Sequence, residues 1–190
     1  MKDKILVIGA CGQVGTELVE NLQKIYGEAN VVASDIRTSD NAVFSNGSFE
    51  ILDVLNKGQI QNVFRKHKPT IVYHLAALLS ATAEAKPKLG WELNMDGTFN
   101  IFDACLEYDV KKIFWPSSIA VFGPTTPPVN TPQSTILEPN TIYGITKLAG
   151  ERYCEYYNMR YNLDVRSIRY PGLIGWKSLP GGGTTDYAVD

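Results

Sequence analysis

Tyr143 and Lys147 stand four residues apart in the stretch Thr141-Ile-Tyr-Gly-Ile-Thr-Lys-Leu-Ala-Gly150. Residues at i and i+4 of a helix share a face, so both side chains can reach one site. A free phenol titrates near ~10, and each unit of depression corresponds to about 1.4 kcal/mol in favour of the phenolate. A neighbouring ammonium supplies part of that. The pair therefore points to proton transfer to or from an alcohol. An ordinary helix with one half-buried Tyr and one solvated Lys would show the same spacing, so the context of the pair decides its meaning.

The pair needs a helix, read over Thr141–Tyr161, and the rest of the chain supplies a strand-helix alternation. Apolar runs at Lys4–Ile8, Asn30–Ser34, Phe49–Leu52, Thr70–His74, Lys112–Trp115 and Asp164–Arg169 read as six strands. Gly12–Tyr26, with Val14, Leu18, Val19, Leu22, Ile25 and Tyr26 at helical spacing, reads as a helix, as do Leu55–Lys66 and Pro87–Tyr108. Proline is tolerated in the first turn of the last of these. Six of the ten prolines fall between Pro116 and Pro139, which predicts a long ordered loop. The alternation predicts an α/β fold with a doubly wound parallel sheet of the Rossmann type, strand order 3-2-1-4-5-6. Its ligand crevice lies at the carboxyl ends of strands 1 and 4.

The 190 residues suffice for one domain with a substantial core. Hydrophobic content of 44% and charged content of 20% fit a soluble globular protein. A formal net charge of -2, with Lys and Arg scattered, gives no electrostatic footprint for nucleic acid or a membrane surface. No apolar run approaches a membrane span. Residues 5–8 are too short for a signal-peptide core, so the cytoplasm is the default compartment. Three dispersed cysteines and two histidines suggest neither a disulfide framework nor a metal site.

Strand 1 runs into Gly9-Ala-Cys-Gly12-Gln-Val-Gly15, three glycines that open a helix. Such a turn lets backbone N–H groups of Gly12, Gln13, Val14 and Gly15 approach a pyrophosphate. Asp35, at the end of strand 2 and twenty residues beyond Gly15, can accept from an adenosine ribose and would repel a 2′-phosphate, which favours NAD over NADP. Arg37 pulls the other way, since a nearby Arg accommodates that phosphate. Asp53 and Val54 follow strand 3 and can border an adenine. Leu75, Ala76 and Ala77 follow strand 4, where small residues permit close approach; plain packing explains the alanines nearly as well. His74 reads as a core histidine. Residues 1–170 thus read as an NAD-binding domain, and 171–190 as the start of a substrate-binding region.

Gly9-x-x-Gly12-x-x-Gly15, Asp35, His74-Leu-Ala-Ala77, Ser117-Ser118-Ile-Ala-Val-Phe-Gly123 and Tyr143-x-x-x-Lys147 occur together. With them the chain resembles the extended short-chain dehydrogenase/reductase family over essentially its whole length. Asn94-Met-Asp-Gly-Thr98 is similar to that family's segment on the helix before strand 5. More narrowly, Arg169-Tyr-Pro-Gly-Leu-Ile-Gly-Trp176 and Pro180-Gly-Gly-Gly-Thr-Thr-Asp186 resemble the short-chain type of L-threonine 3-dehydrogenase. Such enzymes continue past Asp190 into a smaller region that encloses the substrate.

The resemblance implies oxidation of the L-threonine hydroxyl to 2-amino-3-oxobutanoate with NAD as acceptor. Tyr143 would be the base, Lys147 the group that lowers the phenol pKa and holds the nicotinamide ribose, and Ser118 the donor to the reacting oxygen, with Ser117 beside it. Asn94 would brace the site, support a water relay, or bond to backbone. Ser80, Thr184 and Thr185 would contact the substrate; Tyr170, Pro171 and Ile174 would flank the nicotinamide; Gly181–Gly183 would let the loop close. The helices at 87–108 and 141–161 would pair in a homodimer. A nucleotide-sugar epimerase or dehydratase of the same family would use the same Tyr and Lys, and a non-catalytic NAD-binding protein would lack one of them.

Overall fold

A computed structural model describes residues 3–45 and 47–174. Six parallel strands form the main sheet: β1 (Ile5–Ile8), β2 (Val31–Asp35), β3 (Ser48–Ile51), β4 (Ile71–His74), β5 (Lys112–Phe114) and, at the edge, β7 (Asp164–Arg166). Their spatial order is β3-β2-β1-β4-β5-β7. The six-strand order expected from sequence therefore holds. The edge strand is the seventh in the chain because Ser117–Ser118 forms a short β6, paired with β8 (Arg169–Tyr170). The single run expected at 164–169 is thus split: its first half completes the main sheet and its last residues leave for β6.

Strand β1 is wholly buried and pairs on both sides, Ile5 with Val31 and Ile71, Ile8 with Ser34 and His74. Alternate side chains feed two cores, as a period-2 strand buried on both faces must. Leu6, Ile8, Val32, Val72 and Ile113 pack with Phe64 of α2 (Lys57–His67), Phe102 of α5 (Gly97–Glu107) and Tyr157 of α6 (Ile142–Tyr161). Ile5, Val7, Val31, Ala33 and Ile71 pack with Val19 and Leu22 of α1 (Gln13–Tyr26) and with Phe44.

The passage read as one helix over 87–108 has three parts. It begins as α4 (Pro87–Trp91), widens to π turns over Glu92–Asp96, and resumes as α5. A π bulge displaces the backbone register locally and turns a side chain inward; here Asn94 is that residue. Sequence reading missed α3 (Ser80–Ala85), hidden just upstream of Pro87. Helix α6 starts where Thr141 Oγ1 accepts from the Gly144 N–H at 3.0 Å, and Asn162 ends it in a left-handed conformation.

The loop between β6 and α6 is stapled by buried Thr126, whose hydroxyl accepts from the Gly123 N–H at 2.9 Å and donates to the Ile136 carbonyl at 2.8 Å. A partly exposed ion pair then ties this loop, β6 and β8 to α6. Arg169 donates from Nε and Nη2 to Glu151 at 2.7 and 2.8 Å, and from Nη1 to the Gln133 carbonyl at 2.9 Å; the Ser117 hydroxyl donates to Glu151 at 2.6 Å.

Burial works to raise the Glu151 pKa, but the bonds from Arg169 and Ser117 and the Arg169 charge outweigh it and hold the carboxyl below its ordinary 4.5. A carboxyl depressed on folding contributes stability above its unfolded pKa and loses it as pH falls through the folded value. Urea unfolding of Glu151→Ala at neutral pH should show a loss of about 1–3 kcal/mol, because the largely buried Arg169 loses its carboxylate partner and keeps only the Gln133 carbonyl and the Phe122 ring. Acidification below 4.5 should narrow the gap between variant and wild type. A gap that is small and independent of pH would contradict this role.

Candidate active site

The cleft opens where the chain's path across the sheet reverses, between β1 and β4, and encloses about 820 Å³. That volume lies within the range of small-molecule and cofactor sites. One end is built from backbone. Gly9 adopts φ +84, and a Cβ there would lie 2.7 Å from the Ala76 nitrogen, so only glycine lets the turn after β1 pass the turn after β4. The turn leads into α1, whose first N–H groups have no intrahelical partners and whose first turn carries no acidic residue. This is an anion cradle.

Asp35, at the end of β2, is aimed by two backbone bonds: Oδ2 accepts from the Cys11 N–H at 2.9 Å and Oδ1 from the Arg37 N–H at 3.3 Å. A fixed carboxylate beside an anion cradle suits a ribose diol next to a pyrophosphate. Arg37 also lines this end, with Asp53 and Val54 across from it. Asp53 Oδ1 accepts from the Leu55 N–H at 2.9 Å, which sets the turn after β3. Gln13 spans the cleft mouth, its Nε2 donating to the Leu173 carbonyl at 3.1 Å.

The other end is built from buried side chains. Lys147 is 4% exposed; its Nζ donates to the Pro116 carbonyl at 2.7 Å and lies 4.4 Å from the centroid of the Trp115 ring. Burial pushes its pKa down to about 8. Burial raises the pKa of the Tyr143 phenol, and a hydrogen bond with the Ser118 hydroxyl opposes that rise. Ser118 is thus one neighbour that eases ionisation of the phenol. The Lys147 Nζ lies 5.5 Å from the Tyr143 ring centroid. Ser118 Oγ also accepts from the Ala120 N–H at 3.1 Å, which fixes its orientation.

The cleft walls bring together Gly9, Gly12, Gln13, Val14, Gly15, Asp35, Arg37, Asp53 and Val54 with Leu75, Ala76, Ala77, Tyr170 and Pro171; Ser80, Ser117, Ser118, Tyr143 and Lys147 complete the set of expected residues found there. Two expected cofactor contacts are not on its walls. Asn94 is buried, with Oδ1 accepting from the Leu78 N–H at 2.7 Å and Nδ2 donating to the Leu78 carbonyl at 3.1 Å and to Thr146 Oγ1 at 3.2 Å. It clamps the loop after β4 to α6 from behind. Ile174 is 81% exposed, and Leu173 lines the cleft in its place. Ser117 borders the cleft, but its hydroxyl is engaged by Glu151. Thr184, Thr185 and Gly181–Gly183 lie outside the described residues. Ile36, Leu78, Leu79 and Thr82 also line the cleft, and sequence reading did not single them out. Their signal was adjacency to Asp35 and to Ala77 and Ser80.

Residues 5–185 match the model of the NAD dependent epimerase/dehydratase family. An uncharacterized epimerase/dehydratase of Staphylococcus saprophyticus is 50% identical over 188 residues, 98% of this chain and 58% of that protein. The L-threonine dehydrogenase of Clostridium difficile superposes with a TM-score of 0.93 at 48% identity, over 98% of this chain and 59% of that one. The UDP-glucose 4-epimerase of Thermus thermophilus, solved in complex with NAD, gives 0.84 at 28% identity, over 94% of this chain and 58% of that one. This chain therefore spans rather more than half the length of the proteins it matches. The Gly9 cradle, the aimed Asp35 carboxylate and the Tyr143–Lys147 pair fit the family's cofactor, NAD, and the chain belongs to the NAD-dependent epimerase/dehydratase family, the extended short-chain dehydrogenases/reductases.

Proposed function

We propose that this chain carries the NAD site and the catalytic residues of an L-threonine 3-dehydrogenase, which oxidises L-threonine to 2-amino-3-oxobutanoate. Residues 1–170 form the NAD-binding domain in this reading, and 171–190 open the region that receives the substrate. The reading is carried by Tyr143, half-buried on the cleft wall beside Ser118 and one helical turn from Lys147. Likeness supplies the substrate: identity to the C. difficile threonine dehydrogenase is 48%, against 28% to the T. thermophilus epimerase.

NAD, held by the Gly9 turn and Asp35, would supply the hydride acceptor for the substrate's hydroxyl-bearing carbon. The chain's residues manage the proton and the geometry. Ser118 donates to the reacting oxygen and holds it against the Tyr143 phenolate, which takes the hydroxyl proton as the carbonyl forms. Lys147 places positive charge beside that phenolate, 5.5 Å from the Tyr143 ring centroid, and would hold the ribose of the cofactor. Ser80 and Thr82 offer hydroxyls on α3 toward the substrate side of the cleft. Dimerisation through α5 and α6 belongs to the same proposal; Phe99 and Tyr153 stack there with ring centroids 4.2 Å apart, and Tyr156 and Tyr161 are each 46% exposed. Three free cysteines suit the reducing cytoplasm, where we place the enzyme. Among the described residues no helix is long and apolar enough to cross a membrane.

A nucleotide-sugar epimerase is the second reading, favoured by the epimerase/dehydratase family to which the chain belongs and by its likeness to the T. thermophilus UDP-glucose 4-epimerase. The two separate on cofactor release. The full chain with L-threonine and NAD should accumulate free NADH, read by absorbance; interconversion of UDP-sugars without free NADH would favour the epimerase. Tyr143→Phe should lower turnover by about 10²–10⁴-fold while NAD affinity by calorimetry stays within a few fold. The base must be deprotonated and burial raises its pKa, so oxidation should speed up as pH rises until Lys147 begins to lose its charge at about 8; a rate that falls with rising pH below that value would contradict Tyr143 as base. Cys11 borders the ribose end of the cleft, whereas Cys105 and Cys154 are buried. Burial and the Asp35 charge push the Cys11 pKa up to about 11, so iodoacetamide should modify it slowly and faster at alkaline pH. Saturating NAD should slow that modification further, whereas equal rates with and without NAD would misplace the adenosine half.

A further inference from the structure

Lys147 is a buried cation whose catalytic role leaves its own charge unexplained. None of the ion pairs among the described residues includes it. The titratable groups around it do not supply an anion. Cys154, on the same helix, is pushed up to about 12 by burial and is a neutral thiol. His74, on β4, is pushed down to about 3 by burial and the Lys147 charge and is a neutral imidazole. Glu151, one turn along α6, is held by Ser117 and by Arg169 of β8. Tyr143 is a phenol raised by burial. What the ammonium does have is the Pro116 carbonyl and the face of the Trp115 indole, 4.4 Å from the ring centroid.

That indole is held in place at several points. Its backbone N–H donates to the Arg166 carbonyl at 2.9 Å. Its Nε1–H donates to Thr98 Oγ1 at 3.2 Å, and the Thr98 hydroxyl donates to the Asn94 carbonyl at 2.7 Å. His74 Nε2 meets the same Thr98 oxygen at 3.3 Å. The far edge of the ring packs on Gly150, where a Cβ would overlap it. Trp115 is 3% exposed. The ring cannot swing out from beneath Lys147 without breaking the bond to Thr98.

We infer that Trp115 is a positioning residue of the proton-transfer site: its π face is the electron-rich surface on which Lys147 stays an ammonium without a carboxylate. The negative face of an aromatic ring attracts a cation and leaves a neutral amine indifferent, and the attraction strengthens when water is excluded. The ring therefore favours the charged form and widens the pH range over which Lys147 can support a Tyr143 phenolate. A carboxylate in its place would hold the lysine too, but would put negative charge beside the phenolate. The link to turnover rests on the proposed dehydrogenase reading; the seat for the ammonium does not.

The test depletes the ring of electrons while keeping its shape. In the full chain, Trp115 is replaced site-specifically by tryptophan bearing one, two and three ring fluorines. The Lys147 pKa is read by NMR of ¹³Cε-labelled lysine, with the resonance assigned through Lys147→Arg. It should fall stepwise, by about one pH unit over the series, a tenfold change in ionisation equal to about 1.4 kcal/mol, with the melting temperature unchanged. The pH–rate profile for NADH formation should shift upward in step, because a less charged Lys147 supports the phenolate less. A Lys147 pKa indifferent to fluorination overturns the proposal, and so does one that moves only together with the melting temperature. A stepwise pKa fall in a protein that makes no NADH from L-threonine supports the seat and removes the dehydrogenase reading instead.

Discussion

A cation withdrawn from water dictates the arrangement of the reactive half of this molecule. Holding a charged ammonium at 4% exposure is unfavourable unless the surroundings replace its hydration. The replacement here is one carbonyl and one aromatic face, both from the turn that ends β5. Pro116 ends that strand because it has no N–H to continue the ladder, and its carbonyl accepts from the lysine. Trp115 precedes it and lies under the charge. The position of Lys147 is thus fixed by where β5 stops. The stop is fixed in turn by the sheet, since Lys112, Ile113 and Phe114 pair with β4 on one side and β7 on the other.

The two ends of the cleft solve opposite problems. The anion end must let a ligand backbone close in, so it uses glycine, bare N–H groups and a single carboxylate aimed by two backbone bonds. The other end, under the proposed function, would have to change protonation states away from bulk water, and there Lys147 is buried and Tyr143 half-buried. Asn94 links the two ends. From the π bulge before α5 it clamps both backbone groups of Leu78, on the wall of the cleft, and bonds to Thr146, the residue before Lys147. A displacement of the loop after β4 is thereby passed to α6.

The strands and the glycine turn are legible in the sequence because their signals are local: a period-2 or continuous apolar run, three glycines, a carboxylate at a strand end. The strand order follows from the right-handed crossover rule. What escapes depends on contacts between distant segments. Nothing in the composition of Asp164–Arg169 shows that β8 leaves the main sheet to meet β6. The π turns at Glu92–Asp96 lie inside a good helical pattern and show only in the backbone. For Asn94 the sequence leaves bracing, a water relay and a backbone bond all open, because a polar residue in a helical pattern does not show its partner; the fold gives it the Leu78 backbone and Thr146. Trp115 reads as the apolar end of a strand, and only the fold puts Lys147, thirty-two positions later, above its ring.

Ser117 and Ser118 show how little sequence separation is needed to divide two roles. Successive residues of a strand point to opposite faces. In β6 one hydroxyl therefore goes inward to Glu151 and helps anchor β6 and β8 to α6, and the other bonds the Tyr143 phenol. The inner serine fixes the strand that presents the outer one. The Glu151–Arg169 pair holds the next strand and, through Gln133, the proline-rich loop around the same point. In the proposed reaction, hydride and proton chemistry at a secondary alcohol would ask only for the group Tyr143, Lys147 and Ser118, which would serve a sugar hydroxyl as well as an amino-acid side chain. Choice between them must come from groups that touch the rest of the substrate. The residues nearest that role, Ser80 and Thr82 on α3, belong to an element that the Leu78 clamp places but does not define.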